Sequence, residues 1–298
     1  MIKNILSFDI GGTFIKYGIV NSRGKIIFKN KNKTPENNKT EIINFIKNIA
    51  LNLKYIYNID KISISIAGIV NTNGVIVFSP NIKYLENVNL KEEIYKNTNI
   101  ETFIENDVNC ATLGELWYGS GKDKENFIMI TFGTGIGGAI VLNGKLLKGA
   151  NNGAGEIGHM IINENGQLCN CGNRGCYEKY SSISALIDIY YKETCEQLTA
   201  EEIIKKAENL EEPSLTLYNE FINHVVTGIK NLTYILDTGL IIIGGNICKN
   251  NKFLKDINYK FKESVLPFYK EKTKIIKAKL DNDASLYGAA YLALKYKA

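Results

Sequence analysis

No run of about 18 apolar residues occurs in this chain, so it offers no candidate membrane-spanning helix. The apolar stretch Ile5-Leu6-Ser7-Phe8 near the N-terminus is too short for a secretory signal and runs straight into Asp9. Like charges never accumulate. The formal net charge is +5, and the lysines alternate with Asn and Glu, as in Lys29 to Lys33 and Lys270 to Lys277. That pattern reads as a solvated surface and excludes a basic nucleic-acid arm. Histidine is scarce, with only His159 and His224. No Gly-Lys-Ser/Thr follows a glycine turn, so there is no P-loop. These absences point to a cytoplasmic protein without membrane or nucleic-acid partners. In that compartment the six cysteines should be reduced, and a tight cluster of them suggests metal rather than disulfides.

What is present is an ordinary globular composition, 45% hydrophobic and 22% charged over 298 residues. That length suggests two lobes, with a core large enough to need no disulfide support. Strand signals at Ile5 to Phe8, Phe14 to Val20 and Lys25 to Lys29 are separated by glycine and polar turns. Ile42, Ile43, Phe45, Ile46, Ile49, Leu53 and Ile56 then recur at helical spacing. Strands at Ile62 to Ile66 and Ile100 to Ile104 alternate with helices near Leu90 to Asn97 and Asn109 to Tyr118, an α/β pattern. Ile128 to Lys145 repeats the plan of Ile5 to Lys25: strand, glycine turn, strand, polar turn ending Gly-Lys. Two such hairpins imply duplicated lobes. Beyond residue 180 helices are expected at Ile183 to Glu196, Leu215 to Leu236 and Ala284 to Tyr296, with a buried strand at Leu240 to Ile243.

The two glycine turns carry chemistry. In Asp9-Ile10-Gly11-Gly12-Thr13 the glycines free backbone N–H groups to approach an anion. Asp9 would meet a phosphate only through Mg²⁺ or water, and Thr13 can donate its hydroxyl. Gly133-Thr134-Gly135 offers the same groups. Ordinary hairpin turns would also use glycine there, but the two matched turns favour the anion reading.

Asp9 to Thr13, Glu105-Asn106-Asp107, Gly153-Ala154-Gly155-Glu156-Ile157-Gly158-His159 and Cys169-Asn170-Cys171-Gly172-Asn173-Arg174-Gly175-Cys176-Tyr177-Glu178 together resemble the ROK family of repressors, open reading frames and kinases. The resemblance runs from Ile5 to Gly288-Ala289-Ala290. It implies an α/β, two-lobed actin/hexokinase-like (ribonuclease H-like) ATPase fold with a central cleft. The expected lobes are 1–118, joined by the C-terminal helix 284–298, and 119–283. It implies ATP-dependent phosphorylation of the 6-hydroxyl of a hexose, as in a glucokinase, or of N-acetylmannosamine or N-acetylglucosamine. A homodimer is expected on the same ground. A sugar-responsive regulator is the alternative of another class. It is disfavoured because only eight residues precede Asp9, too few for a DNA-binding domain.

Residue by residue, the resemblance makes Asp107 the catalytic base, although a helix N-cap would explain an acid there too. Asn81, Gly68, Asn106, Glu156, His159 and Glu178 become sugar contacts. Asp9, Gly11, Gly12, Thr13, Gly133, Thr134, Gly135, Gly244 and Gly245 become the ATP site with Mg²⁺. His159, Cys169, Cys171 and Cys176 have the spacing of a closed structural Zn²⁺ site. Zinc on one ring nitrogen of His159 would aim the other at the sugar. Cys110, Cys195 and Cys248 are expected to be ordinary buried residues, and His224 a packed or surface histidine. Two departures touch specificity: Ile69 and Leu85 stand where many family kinases carry proline and tryptophan. A β-branched residue at Gly135 is expected to weaken ATP use far more than sugar binding.

Overall fold

The computed structural model describes residues 2–35, 38–79 and 81–295. In chain order, β1 (Asn4–Ile10), β2 (Phe14–Asn21) and β3 (Ile26–Lys33) precede α1 (Lys39–Tyr57) and β4 (Ile59–Ile66). A small hairpin, β5 (Ile69–Val70) and β6 (Ile76–Phe78), leads to α2 (Leu90–Thr98), β7 (Thr102–Asn106) and α3 (Asp107–Tyr118). Then come β8 (Phe127–Phe132), β9 (Ile136–Leu142), β10 (Lys145–Leu146), α4 (Glu178–Ser181), α5 (Ile183–Thr194), α6 (Ala200–Glu208) and α7 (Ser214–Leu236). The chain closes with β11 (Leu240–Gly244), α8 (Asn251–Ser264), β12 (Lys274–Lys277) and α9 (Ala284–Lys295). Tyr296, the expected end of the last helix, lies outside the described residues. Among the described residues no helix is long and apolar enough to cross a membrane.

The chain forms two compact units. Unit one takes the chain up to Lys124, the stretch Leu146–Ala154, and the chain from Lys279 onward; unit two takes Glu125–Lys145 and Gly155–Ala278. The unit-one sheet has the order β3-β2-β1-β4-β7, and the unit-two sheet the order β10-β9-β8-β11-β12. β1 pairs antiparallel with β2 and parallel with β4. β8 likewise pairs antiparallel with β9 and parallel with β11. The hairpin repeat read from the sequence therefore extends through both whole sheets.

In unit one, Leu6, Phe8 and Ile10 alternate along β1 and meet Ile62, Ile64 and Ile66 of β4; α1 covers this face with Ile42, Ile43, Ile46 and Ala50. Fully burying each large side chain contributes about 1.5–3 kcal/mol. α9 packs on β1, β4 and most closely on α3. There a Cβ on Gly288 would lie 1.6 Å from the Cys110 carbonyl oxygen, so the two helix backbones touch and only glycine fits. This contact fixes α3, whose N-terminus carries Asp107. Further along α3, the fully buried Glu115 carboxylate accepts backbone N–H bonds from Ser120 (2.6 Å), Lys279 (2.9 Å) and Leu280 (2.7 Å). One acid thereby holds both the outgoing and the returning chain of the unit.

Candidate functional site

In unit one, β1 ends at Asp9 and Ile10, and the turn Gly11-Gly12-Thr13 is exposed except for half-buried Gly11. Antiparallel register puts Lys16 opposite Asp9. Lys16 Nζ lies 3.1 Å from Asp9 Oδ2, and Ser65 Oγ donates to Oδ1 at 3.1 Å. The sequence reading missed both partners, yet alternation along β2 could have indicated Lys16, because it shares Asp9's face. Thr34, at the end of β3, donates its hydroxyl to the Gly11 carbonyl at 2.6 Å and its N–H to Thr13 at 3.0 Å, holding the turn. No local signal marks Thr34. Asn81 stands against this turn: a Cβ on Gly12 would lie 3.3 Å from Asn81 Cβ. Pro80, just before it, lies outside the described residues.

β7 delivers Glu105-Asn106 at its end, and α3 begins with Asp107. The helix cap is Asn106, whose Oδ1 accepts the Asn109 N–H at 2.9 Å; capping does not fall to Asp107. Asn106 Nδ2 donates to the Gly68 carbonyl at 2.9 Å and to Asp107 Oδ1 at 3.0 Å. Val108 N–H reaches the same carboxylate oxygen at 3.0 Å. Gly68 has φ +142°, and a Cβ there would lie 2.2 Å from the Phe78 carbonyl oxygen, so no other residue fits. The structure thus brings Gly68, Asn106 and Asp107 together. Leu85, one of the two departures, is fully buried in the unit-one core.

In unit two, Gly133-Thr134-Gly135 joins β8 to β9, closed by the Gly133 N–H on the Gly135 carbonyl at 2.9 Å. Beside it, β11 runs parallel to β8 with Gly244 level with Thr131. Gly245 has φ +104°, and a Cβ would lie 2.0 Å from the Phe132 carbonyl oxygen. Gly133–Gly135 and Gly244-Gly245 are therefore neighbours at the ends of adjacent strands of the unit-two sheet. Glu178 opens α4, and its Oε2 accepts the Ile136 N–H at 2.9 Å. Its position is set by Tyr177, fully buried, whose hydroxyl donates to the Val225 carbonyl of α7 at 2.8 Å. Burial raises the Tyr177 phenol above its ordinary range.

The segment Glu156-Ile157-Gly158-His159 makes a short 3-10 turn packed on β9, with Glu156 and His159 exposed. His159, Cys169, Cys171 and Cys176 bring their ligand atoms within 4.8 Å of one another. His159 Nδ1 is 3.8 Å from Cys169 Sγ, and Cys171 Sγ is 3.6 Å from Cys176 Sγ. A tetrahedral zinc with three thiolates and one imidazole puts neighbouring ligand atoms about 3.6–3.8 Å apart. The donor set fits Zn²⁺, and Nδ1 faces the cluster, which leaves Nε2 for another partner. Burial pushes the Cys176 thiol up to about 12, whereas the Asn173 backbone N–H lowers that of Cys171. Cys110 and Cys248 are buried as expected, but Cys195 is exposed, because it caps the C-terminus of α5 in a left-handed conformation. His224 is half-buried against Tyr180, ring centroids 5.1 Å apart, and burial lowers its pKa.

The ROK family model matches residues 5–296. A β-glucoside kinase of Listeria innocua is 34% identical, with 96% of each chain covered. Among solved structures, a candidate N-acetylmannosamine kinase from Listeria monocytogenes superposes with a TM-score of 0.88 at 32% identity, covering 98% of this chain and 99% of that one. A ROK family glucokinase from Streptomyces griseus, solved in complex with glucose and AMPPNP, superposes with a TM-score of 0.83 at 27% identity, covering 98% and 100%. The family model spans nearly the whole chain and the fold superposes over almost all of each solved relative, so the chain belongs to the ROK family.

Proposed function

We propose that this protein is an ATP-dependent sugar kinase, transferring the γ-phosphoryl group to the 6-hydroxyl of a hexose or N-acetylhexosamine. The observation that carries this is the Gly68–Asn106–Asp107 arrangement at the head of α3, in a chain that aligns over nearly its whole length with sugar kinases. Phosphoryl transfer asks little covalent chemistry of the protein; it needs a positioned hydroxyl, a base and neutralised phosphate charge. Asp107 is the base. Asn106, clamped by the Gly68 carbonyl, orients Asp107 through its amide and keeps one acceptor site on Oδ1 for a neighbouring sugar hydroxyl. Asn81, Glu156, His159 and Glu178 bind further hydroxyls, to which carboxylates suit as multiple acceptors.

Gly11, Gly12 and Thr13, with Gly133, Thr134 and Gly135, line the ATP phosphates, and Gly244-Gly245 the adenosine. A single carboxylate fits Mg²⁺, which keeps most of its waters, and Asp9 would hold it, neutralising phosphate charge. Four protein ligands leave zinc no open position, so its role is structural. The protein works in the cytoplasm as a homodimer. A coupled ADP-release assay over glucose, mannose, N-acetylmannosamine, N-acetylglucosamine and β-glucosides tests this reading. One of these sugars should stimulate ADP release and yield its 6-phosphate by ³¹P NMR. ADP release that no sugar stimulates would refute it.

A further inference from the structure

Leu146–Ala154 is the one stretch of chain that belongs to unit one while the residues on both sides of it belong to unit two. Two bonds tie it to the rest of unit one, and a third closes the loop on itself. Ala154 N–H closes the loop on the Lys148 carbonyl at 3.1 Å. Asn152 Nδ2 donates to the Val70 carbonyl of β5 at 3.2 Å. Lys148 Nζ lies 2.5 Å from Glu105 Oε2. Lys148 is thus bound through both its main chain and its side chain, and the residues that follow the loop are Gly155 and Glu156.

The ion pair is buried on one side only: the Lys148 side chain is 40% exposed, the Glu105 side chain 4%. Its other oxygen, Oε1, accepts the Asn106 N–H at 2.9 Å and Asn109 Nδ2 at 3.1 Å. Asn106 in turn donates to Asp107 Oδ1. A continuous chain of polar contacts therefore runs from the ammonium of Lys148 through Glu105 and Asn106 to Asp107. A buried carboxylate that loses its ion-pair partner is left uncompensated and reorients. Reorientation alters the acceptor that fixes Asn106 at the helix cap.

We propose that Lys148 is a positioning residue for phosphoryl transfer: it holds Glu105 oriented, and so sets the geometry of Asn106 and Asp107 while pinning the 146–154 loop. The kinetic part rests on the sugar-kinase reading above; the pinning does not. Shifts of about 1 Å at a reacting group cost about 100-fold in rate, so partial disorder at Asp107 should lower kcat by about 10- to 100-fold.

The test uses the full chain with three variants: Lys148→Met, Lys148→Arg and the double variant Glu105→Gln/Lys148→Met. Steady-state kinetics on the best sugar are combined with amide hydrogen exchange on the sugar-free protein. In Lys148→Met, kcat should fall about 10- to 100-fold, and amides of 148–154 and of Asn106 to Asn109 should exchange faster. Lys148→Arg should recover most of the loss. The double variant, which buries no charge, should fold even if Lys148→Met does not, and should exceed Lys148→Met in kcat. A Lys148→Met enzyme with a lowered thermal midpoint but kcat within about twofold of wild type would make the pair merely structural and overturn the proposal. If the wild type phosphorylates no sugar, the function reading fails on its own, and unchanged exchange in 148–154 would then overturn the pinning.

Discussion

The carboxylate of Glu178 lies directly against the turn Gly133–Gly135: Oε2 accepts the Ile136 N–H at 2.9 Å, and a Cβ on Gly135 would stand 2.2 Å from that oxygen. A proposed sugar ligand and a proposed phosphate turn thus share one hydrogen bond.

This relationship changes what a substitution at Gly135 reports. From sequence, Gly135→Val should weaken ATP use far more than sugar binding. The structure predicts that the valine displaces Glu178, so KM for sugar and KM for ATP both rise, each by about 10-fold or more. Gly133 separates the two, because a Cβ there meets nothing closer than the Gly135 carbonyl oxygen at 3.9 Å. Gly133→Ala should weaken nucleotide binding and leave sugar affinity by calorimetry within about twofold. An unchanged sugar affinity in Gly135→Val would contradict the placement of Glu178.

Glu115 predicts a stability effect remote from the chemistry. Its carboxylate serves the partly buried N–H groups of Ser120 and Leu280 and that of Lys279. Glu115→Ala removes an acceptor for all three and should cost about 2–4 kcal/mol in urea unfolding, since a buried donor left unpaired costs about 1–3 kcal/mol and these donors are only partly shielded from water. Glu115→Gln keeps one oxygen and should cost less. A loss below about 1 kcal/mol in Glu115→Ala would show that water replaces the carboxylate.

Much of the fold was legible because its elements carry simple periods. α1 repeats Ile42, Ile46 and Ile49 on one face, β8 and β11 are short, mostly apolar runs bounded by turns, and β1 and β4 alternate apolar with polar residues. α8 was not anticipated: Phe253, Ile257 and Phe261 recur every fourth residue, but lysines and asparagines between them mask the stripe. The roles of Lys148 and Asn152 were not legible at all. The Asn152 bond joins residues 82 positions apart, and nothing local announces it. The metal cluster was legible, because three of its four ligands fall within eight consecutive positions.

The cluster predicts one zinc per chain, bound by His159, Cys169, Cys171 and Cys176. Elemental analysis of protein purified without chelator should find it. Zinc binding requires thiolates, so affinity should fall as pH falls, with protons released on binding. Cys171→Ser should lower the thermal midpoint and raise the sugar KM together, through loss of the orientation of His159, Glu156 and Glu178. An unchanged midpoint and KM would reduce the cluster to an incidental loop.

The central claim is that Asp107 takes the proton from the sugar hydroxyl. Asp107 begins α3 but does not cap it, since Asn106 supplies the cap. Asp107→Asn should therefore fold with near wild-type stability and still bind sugar. The most direct measurement is single-turnover transfer from ATP in this variant, alongside its sugar Kd. The account predicts a rate about 10²- to 10⁴-fold below wild type with sugar affinity retained. A rate within about twofold of wild type would contradict it.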